Sequence, residues 1–199
     1  MHEIVLATHN EDKISEILQV LKKLPITIFT FKDLRGLPSI IEDGRSLYEN
    51  AFKKALIIST HTGKIALADD SGLEVDFLNG EPGVYSSRFS GPGATYSSNN
   101  KKLLELLQGV PPEKRKARFV CVMVLYFPGG SSKTFKGILN GEITTSPRGE
   151  NGFGYDPIFF IPKLGKTLAE LSREEKNKIS HRGKALKKVY EFLNRYFVE

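Results

Sequence analysis

The apolar run at residues 119–127 constrains the fold more than any other segment of this sequence. It reads FVCVMVLYF and contains neither a charged residue nor an alternation of polar with apolar side chains. A strand with one face in water alternates, whereas a strand covered on both faces does not. We therefore predict a β-strand that is covered on both sides. It contains Cys121, the single cysteine of the chain, which excludes an intramolecular disulfide and is typical of a small buried hydrophobe.

Helical and strand patterns alternate along the rest of the chain. Further strands are predicted at 4–7, 26–31, 65–68, 73–78, 134–143 and 158–161, with a long ordered loop at 79–99. Helices are predicted after residue 10, at 46–59, at 101–107 and as two stretches at the C-terminal end, the last burying Ala185, Leu186, Val189, Tyr190, Leu193 and Phe197. This order predicts an α/β protein with a central mixed sheet flanked by helices, and residues 1–199 form a single domain without a linker.

The net charge of +6 favours an anionic partner. Residues 163–188 carry nine Lys or Arg residues against three Glu residues, which indicates a basic surface near the C-terminal end. The N-terminal residues do not resemble a signal peptide. No apolar run approaches the ~20 residues of a membrane helix, so we expect a cytoplasmic protein.

Two adjacent acids follow the predicted strand 65–68, in the segment Asp69-Asp70-Ser71-Gly72, where we predict a turn. Successive strand residues point to opposite faces, so one acid should face a cleft and the other the core. A carboxylate held in this way can ligate Mg²⁺ and orient a water molecule. An Asx turn closed by Ser71 and Gly72 accounts for the same residues equally well.

The segment between the first strand and the first helix suits a phosphate group. Its residues are Thr8, His9, Asn10, Glu11, Asp12 and Lys13. A helix N-terminus presents N–H groups and a positive dipole end, and Lys13 adds a charge. The glycines of a Walker loop or a dinucleotide fingerprint are absent. From these six residues alone, an ordinary helix cap is the simpler interpretation.

Two charged residues later in the chain are further candidates for a metal and phosphate site. Glu42 is a candidate second metal ligand, and Lys53 is placed on the helix 46–59 to meet a phosphate. Taken singly, each is more typical of a solvated surface charge.

The segment 152–157 suits a flat ligand. Glycines flank Phe153, which allows a base to approach and stack, and Asp156 suits the N–H groups of a ring. Hydrogen-bond donors for purine carbonyl oxygens follow at Lys176, His181 and Arg182. Singly, these are an aromatic turn and ordinary basic residues at a helix junction.

Together and in this order, six motifs resemble the inosine triphosphate pyrophosphatase family. They are Thr8-x-Asn10-x-x-Lys13, Glu49-Asn50-Ala51 followed by Lys53 and Ala55, Asp69-Asp70-Ser71-Gly72-Leu73, Pro82-Gly83-Val84-Tyr85-Ser86-x-Arg88, Gly152-Phe153-Gly154-Tyr155-Asp156-Pro157 and Ser180-His181-Arg182-Gly183. The resemblance covers nearly the whole chain. His9 departs from the small residue expected after the threonine.

The resemblance implies two α/β lobes with the active site in the cleft between them, in a homodimer. It implies a Mg²⁺-dependent enzyme that hydrolyses ITP, dITP and XTP to the monophosphate and pyrophosphate, which clears them from the nucleotide pool. No stable nucleic-acid partner and no membrane partner are expected.

The resemblance also implies roles for individual residues. Asp70 is the catalytic acid–base residue and a metal ligand, with Glu42 and Asp69 as further metal ligands. Residues 8–13 and Lys53 hold the triphosphate, and Ser71 contacts the substrate. The base is surrounded by Phe153, Gly154, Tyr155, Asp156, Lys176, His181 and Arg182.

Selectivity follows from these donors. Hypoxanthine and xanthine present a 6-oxo acceptor, whereas adenine presents a 6-amino donor, and two facing donors cost roughly 1–3 kcal/mol per buried group. The sequence does not identify what rejects guanine. Two alternatives stay open at this point. One is a nucleic-acid-binding protein that uses the basic region, and the other is a pyrophosphatase of different nucleotides.

Overall fold

A computed structural model describes residues 2–197. The strands are β1 (His2–Leu6), β2 (Ile26–Phe29), β3 (Ile65–Val75), β4 (Lys116–Tyr126), β5 (Ser132–Ile143), β6 (Phe159–Ile161) and β7 (Lys166–Thr167). The helices are α1 (Glu11–Leu21), α2 (Leu47–Thr62), α3 (Tyr96–Leu106), α4 (Arg173–Ile179) and α5 (His181–Phe197). None of the helices in residues 2–197 combines the length and the apolar character that crossing a membrane requires.

The strands form one sheet in the order β2-β1-β3-β4-β5-β6-β7. β1 pairs in parallel with both β2 and β3, whereas β6 pairs antiparallel with β5 and β7. The sheet is therefore mixed and the fold is α/β, which confirms the predicted class. β4 contains residues 119–126 of the apolar run, and residues 119–125 are all buried, as the absence of alternation predicted.

The predicted turn at Asp69-Asp70-Ser71-Gly72 is wrong, because β3 runs through all four residues. The two short strands predicted at 65–68 and 73–78 are one strand, and residues 76–78 form a short 3-10 turn after it. β3 lies between β1 and β4, so its backbone groups find hydrogen-bond partners on both sides. The acids stay in the sheet because their side chains have partners of their own, as described below.

The chain divides into two compact units. The first comprises the residues up to Asp70, Cys121–Gly137 and the residues from Arg182 onward. Its core joins β1, α1 and the central part of β4 to α5. Ala185, Leu186, Val189 and Leu193 are buried on α5, and Tyr190 and Phe197 are partly buried against this core, as predicted.

The second unit comprises Ser71–Val120 and Ile138–His181. Its core includes Leu73, Leu103, Phe119 and Phe159. The loop predicted at 79–99 is shorter than expected because α3 begins at Tyr96. There the Thr95 side chain accepts from the backbone N–H of Ser98, and Ser98 returns the bond. The first turn of α3 is polar, so apolar periodicity does not indicate where this helix begins.

Candidate active site

Parallel pairing of β1 with β3 brings the segment after β1 beside the two acids. Leu6 is level with Leu67, so Thr8 comes level with Asp69 two residues later. The Asn10 side chain accepts from the Lys13 backbone N–H at 3.0 Å and begins α1. Lys13 then reaches back, and its Nζ lies 3.0 Å from Asp69 Oδ2. The predicted phosphate segment and the predicted acid pair therefore meet inside the first unit.

A second cation approaches Asp69 from α5. Arg182 Nε lies 3.3 Å from Asp69 Oδ2, and Arg182 Nη1 lies 2.6 Å from Glu16 Oε2. The side chains of Asp69, Arg182 and Glu16 are all at least nine-tenths buried. Asp69 is thus a buried carboxylate held between Lys13 and Arg182.

Asp70, the next residue of β3, has a different hydrogen-bond partner, as alternation along a strand leads us to expect. Asn50 Nδ2 donates to Asp70 Oδ2 at 2.9 Å, and Asn50 Oδ1 accepts from the Gly44 N–H at 2.8 Å. A Cβ on Gly44 would come within 2.6 Å of Asn50 Oδ1, so only glycine lets the chain approach this closely. One asparagine therefore ties Asp70 to the segment before α2.

The two neighbouring lysines of α2 lie in different surroundings. Lys54 is buried, and its Nζ donates to Glu42 Oε1 at 2.6 Å and to the Asp69 carbonyl oxygen at 2.7 Å. Lys53 pairs instead with Asp43 at 2.6 Å, and both side chains are exposed by more than a third. The structure brings Glu42 and Lys54 to the acids, and it leaves Lys53 at the surface.

The charges in the first unit push the pKa values of the two aspartates apart. Burial alone would raise the pKa of Asp69, but Lys13, Arg182 and Lys54 outweigh it and hold that pKa well below its usual range. Burial raises the pKa of Asp70 above its ordinary value, because the same effect is less fully opposed by Lys54 and Lys13. Burial opposes the charge of Lys54, yet Asp69, Asp70 and Glu42 together raise its pKa. Two adjacent carboxyls with separated pKa values are suited to different tasks.

The first unit gathers four acids and three cations in one cluster. Its acids are Glu16, Glu42, Asp69 and Asp70, and its cations are Lys13, Lys54 and Arg182. Within residues 2–197, no group of three or more His, Cys, Asp or Glu side chains is arranged to hold a metal ion by itself.

The remaining predicted residues of the segment 8–13 lie in the first unit, and Ser71 begins the second. Thr8 is buried, and its Oγ1 accepts from the Asn10 N–H at 3.2 Å. The His9 ring packs on Phe31 with ring centroids 3.9 Å apart. Glu11 pairs with Lys32 at the surface. Asp12 is half-buried in the first turn of α1, and Ser71 is half-buried on β3.

A second cluster lies in the second unit, around Asp156. Asp156 Oδ2 accepts from the Phe153 N–H at 2.9 Å and from Lys176 Nζ at 2.6 Å. The Lys176 ammonium also lies 4.3 Å from the centroid of the Phe153 ring. Gly152 has a φ of +76°, and a Cβ there would come within 2.1 Å of Asp156 Oδ2. The carboxylate thus positions the Phe153 ring and the ammonium together.

Three other predicted base-contacting residues occupy this unit. His181 is buried, and its ring stacks on Phe119 with centroids 4.6 Å apart. The buried Tyr155 donates through its hydroxyl to the Ser86 carbonyl oxygen at 2.8 Å. The Gly154 carbonyl oxygen accepts from Asn100 Nδ2 at 3.0 Å.

Lys54, Asn50 and Glu16 were not predicted as site residues from the sequence. A signal for the first two was present. The buried face of α2 contains Leu47, Asn50, Ala51, Lys54, Ala55, Ile58 and Ser59, which follow helical spacing. Lys54 falls on that face and Lys53 does not. Glu16 carried no such signal, because its partner Arg182 is 166 residues away.

An α/β fold that gathers buried acids, lysines and a helix N-terminus around the ends of parallel strands has the features of a phosphate-ester or phosphoanhydride enzyme. The chain belongs to the Ham1 family, whose sequence profile matches residues 4–192. The resemblance to inosine triphosphate pyrophosphatases is thereby confirmed.

Individual relatives agree over almost the full length. The dITP/XTP pyrophosphatase of Desulforamulus reducens is 48% identical over 196 residues, which cover 98% of each protein. The dITP/XTP pyrophosphatase of Geobacter sulfurreducens is 51% identical over 186 residues, or 94% of each. The solved HAM1 protein of Coxiella burnetii superposes with a TM-score of 0.91 at 43% identity, covering 98% of this chain and all of that one.

Proposed function

We propose that this protein hydrolyses purine nucleoside triphosphates with a 6-oxo base, namely ITP, dITP and XTP, to the monophosphate and pyrophosphate. Water supplies the oxygen that the α-phosphorus gains, and pyrophosphate leaves with the bridging oxygen. The observation that carries the proposal is the pair Asp69 and Asp70, adjacent on β3 with pKa values displaced in opposite directions. Relatives of the same length that are named dITP/XTP pyrophosphatases support the substrate class.

In this proposal Asp70 accepts the proton of the attacking water. A carboxylate is a better base when its pKa is raised toward the working pH, and Asp70 is displaced in that direction. Asp69 is unsuited to this role, because Lys13 and Arg182 lower its pKa and so make it a weaker base. It keeps those two cations in place.

The phosphates are held by the N-terminus of α1, by Lys13 and by Lys54. Hydrolysis at phosphorus depends chiefly on neutralising charge and aligning water. The sequence predicted Lys53 for this task, and that prediction remains untested. The contacts of Lys54 with Glu42 and the Asp69 carbonyl oxygen make Lys54 the stronger candidate.

Mg²⁺ fits the first cluster. The carboxylates of Asp70 and Glu42 are the oxygen donors that Mg²⁺ prefers. Asp69 is the weakest of the three predicted ligands, because two cations already occupy Oδ2. Mg²⁺ usually binds one or two carboxylates together with substrate phosphates, so a preformed cage of three side chains is not required. When bound, the ion would neutralise charge on the phosphates.

The base is read by the second cluster, with Phe153 as its stacking surface. Lys176 and His181 supply donors to the 6-oxo oxygen. Arg182 remains in the proposal as a third donor, although its Nε and Nη1 already contact Asp69 and Glu16. A cytoplasmic location and a homodimer also remain predictions from the family resemblance.

The test is pyrophosphate release from ITP, XTP, dITP, ATP and GTP, with Mg²⁺ and with EDTA. We expect kcat/KM for ITP to exceed that for ATP by at least about tenfold, from one mismatched donor. We expect the activity to disappear with EDTA. Equal rates on ATP and ITP would refute the substrate class, and full activity in EDTA would refute the role of the metal.

A further inference from the structure

A cavity of about 1000 Å³ lies in the second unit, between α3 and residues 149–154. One face of α3 lines it through Tyr96, Asn100 and Leu104, which follow one another at intervals of one helical turn. Gly152, Phe153 and Gly154 line the opposite wall. The cavity therefore opens on the loop that carries the stacking surface of the proposed base site.

Two aromatic rings border this cavity. The centroids of Tyr96 and Phe153 are 5.9 Å apart, and their planes differ by 39°. Tyr96 is 45% exposed, so a ligand can reach its ring. Phe153 lines the cavity and also contacts the Lys176 ammonium, so the cavity and the proposed base site meet at this ring.

Asn100 holds this arrangement together. Its Nδ2 donates to the Gly154 carbonyl oxygen at 3.0 Å, so α3 fixes the backbone next to Phe153. Its Oδ1 is buried and has no hydrogen-bond partner among the described residues. A buried acceptor of this kind is costly unless a donor arrives, and a ring N–H of a bound base is such a donor.

We propose that Tyr96 is a base-contacting residue, the second aromatic ring of the purine subsite. The inference rests on the proposed function and extends it, because the sequence motifs of the family resemblance do not include Tyr96. A purine that stacks on Phe153 with its 6-oxo oxygen toward Lys176 extends at its other end toward Tyr96, whose ring centroid lies 5.9 Å from that of Phe153. The exposed part of the Tyr96 ring is then covered by the substrate.

The kinetic test compares Tyr96→Ala, Tyr96→Phe and the wild type on ITP. Loss of one base–aromatic stack should raise KM roughly tenfold with kcat changed by less than about twofold. Tyr96→Phe keeps the ring and should behave as the wild type. Tyr196→Ala, on the similarly exposed Tyr196 of α5, is the control and should also leave KM unchanged. Thermal melting checks that each variant is folded.

A second measurement needs no turnover. The chain contains no tryptophan, so Tyr96→Trp introduces a single reporter. In an Asp70→Asn background, ITP should quench its emission, whereas inorganic tripolyphosphate should not. Tyr196→Trp in the same background should respond to neither.

The outcomes separate the two proposals. Suppose that the wild type hydrolyses ITP, that Tyr96→Ala has the wild-type KM, and that ITP does not change the indole emission of Tyr96→Trp. The inference about Tyr96 is then wrong, and the proposed function stands. If the wild type does not hydrolyse ITP, the proposed function fails. An indole emission of Tyr96→Trp that responds to no purine nucleotide would then overturn the inference as well.

Discussion

Asp69 and Asp70 are neighbours in the chain but occupy opposite electrostatic environments. Asp69 is fully buried between Lys13 and Arg182, and Asp70 is buried against Asn50. The first arrangement stabilises the fold and the second weakens it. Asp69 therefore contributes to stability, whereas Asp70 is proposed to serve catalysis at a cost in stability. Such a trade-off is common in active sites.

Substitutions at the two positions should change stability in opposite directions. Asp69→Asn leaves Lys13 and Arg182 without their shared partner, and we expect it to lower the free energy of unfolding by about 3–5 kcal/mol. Asp70→Asn removes a carboxyl whose burial is unfavourable, and we expect it to raise that free energy at neutral pH. Urea denaturation of both variants measures this. A loss of stability in Asp70→Asn as large as in Asp69→Asn would contradict it.

The same pair predicts a dependence on pH. The pKa of Asp70 is raised in the folded state, so folding takes up protons between its ordinary pKa and the raised one. Stability contributed by this group falls as pH rises through that window. The gain in stability from Asp70→Asn should thus be complete at neutral pH. It should vanish below about pH 4, where the Asp70 carboxyl of the wild type is also uncharged. Asp69 behaves in the opposite sense: its contribution is full above its ordinary pKa and is lost as pH falls. An advantage of Asp70→Asn that persists unchanged at low pH would contradict the assignment.

Lys53 and Lys54 give a matched pair for activity. Lys54→Ala removes the cation that contacts Glu42 and the Asp69 carbonyl oxygen, and it should lower kcat/KM for ITP by about 10²-fold or more. Lys53→Ala removes only a surface pair with Asp43 and should stay within about twofold of the wild type. Steady-state kinetics decide between the two lysines, and the reverse result would restore the role that the sequence predicted for Lys53.

At the scale of elements, β3 shows where sequence reasoning succeeded and where it failed. The alternation of side chains correctly predicted that the two acids face opposite ways. The turn was wrong because two adjacent acids and a glycine are typical of loops, and only their distant partners keep them in a sheet. Those partners are Lys13 of α1, Asn50 of α2 and Arg182 of α5. They are distant from the acids in sequence, so the local sequence does not indicate these contacts.

The loop that positions Phe153 offers a prediction with an internal control. Gly152 and Gly154 both have positive φ, so alanine is strained at either position. Only at Gly152 would the new Cβ also collide with Asp156 Oδ2, because Gly154 has open space there. Gly152→Ala should therefore raise KM for ITP well beyond Gly154→Ala, with similar losses of stability. Equal KM values in the two variants would show that Asp156 does not position the base site.

Over the whole molecule, the sequence predicted the fold class, the doubly covered strand β4 and the buried face of α5. These features follow from periodicity and burial, which are local properties. Two lobes were implied by the family resemblance and not by periodicity, and the ion cluster of the first unit was not predicted at all. Arg182 and Glu16 illustrate the reason, since each is an ordinary charged residue until the fold brings α5 to α1.

In the proposed reaction, water attacks the α-phosphorus of ITP with Asp70 as the base. Hydrolysis in water enriched in oxygen-18, followed by mass spectrometry of both products, tests this directly. We expect one labelled oxygen in the inosine monophosphate, none in the pyrophosphate, and no products from Asp70→Asn. Label in the pyrophosphate, or release of the diphosphate and inorganic phosphate, would contradict it.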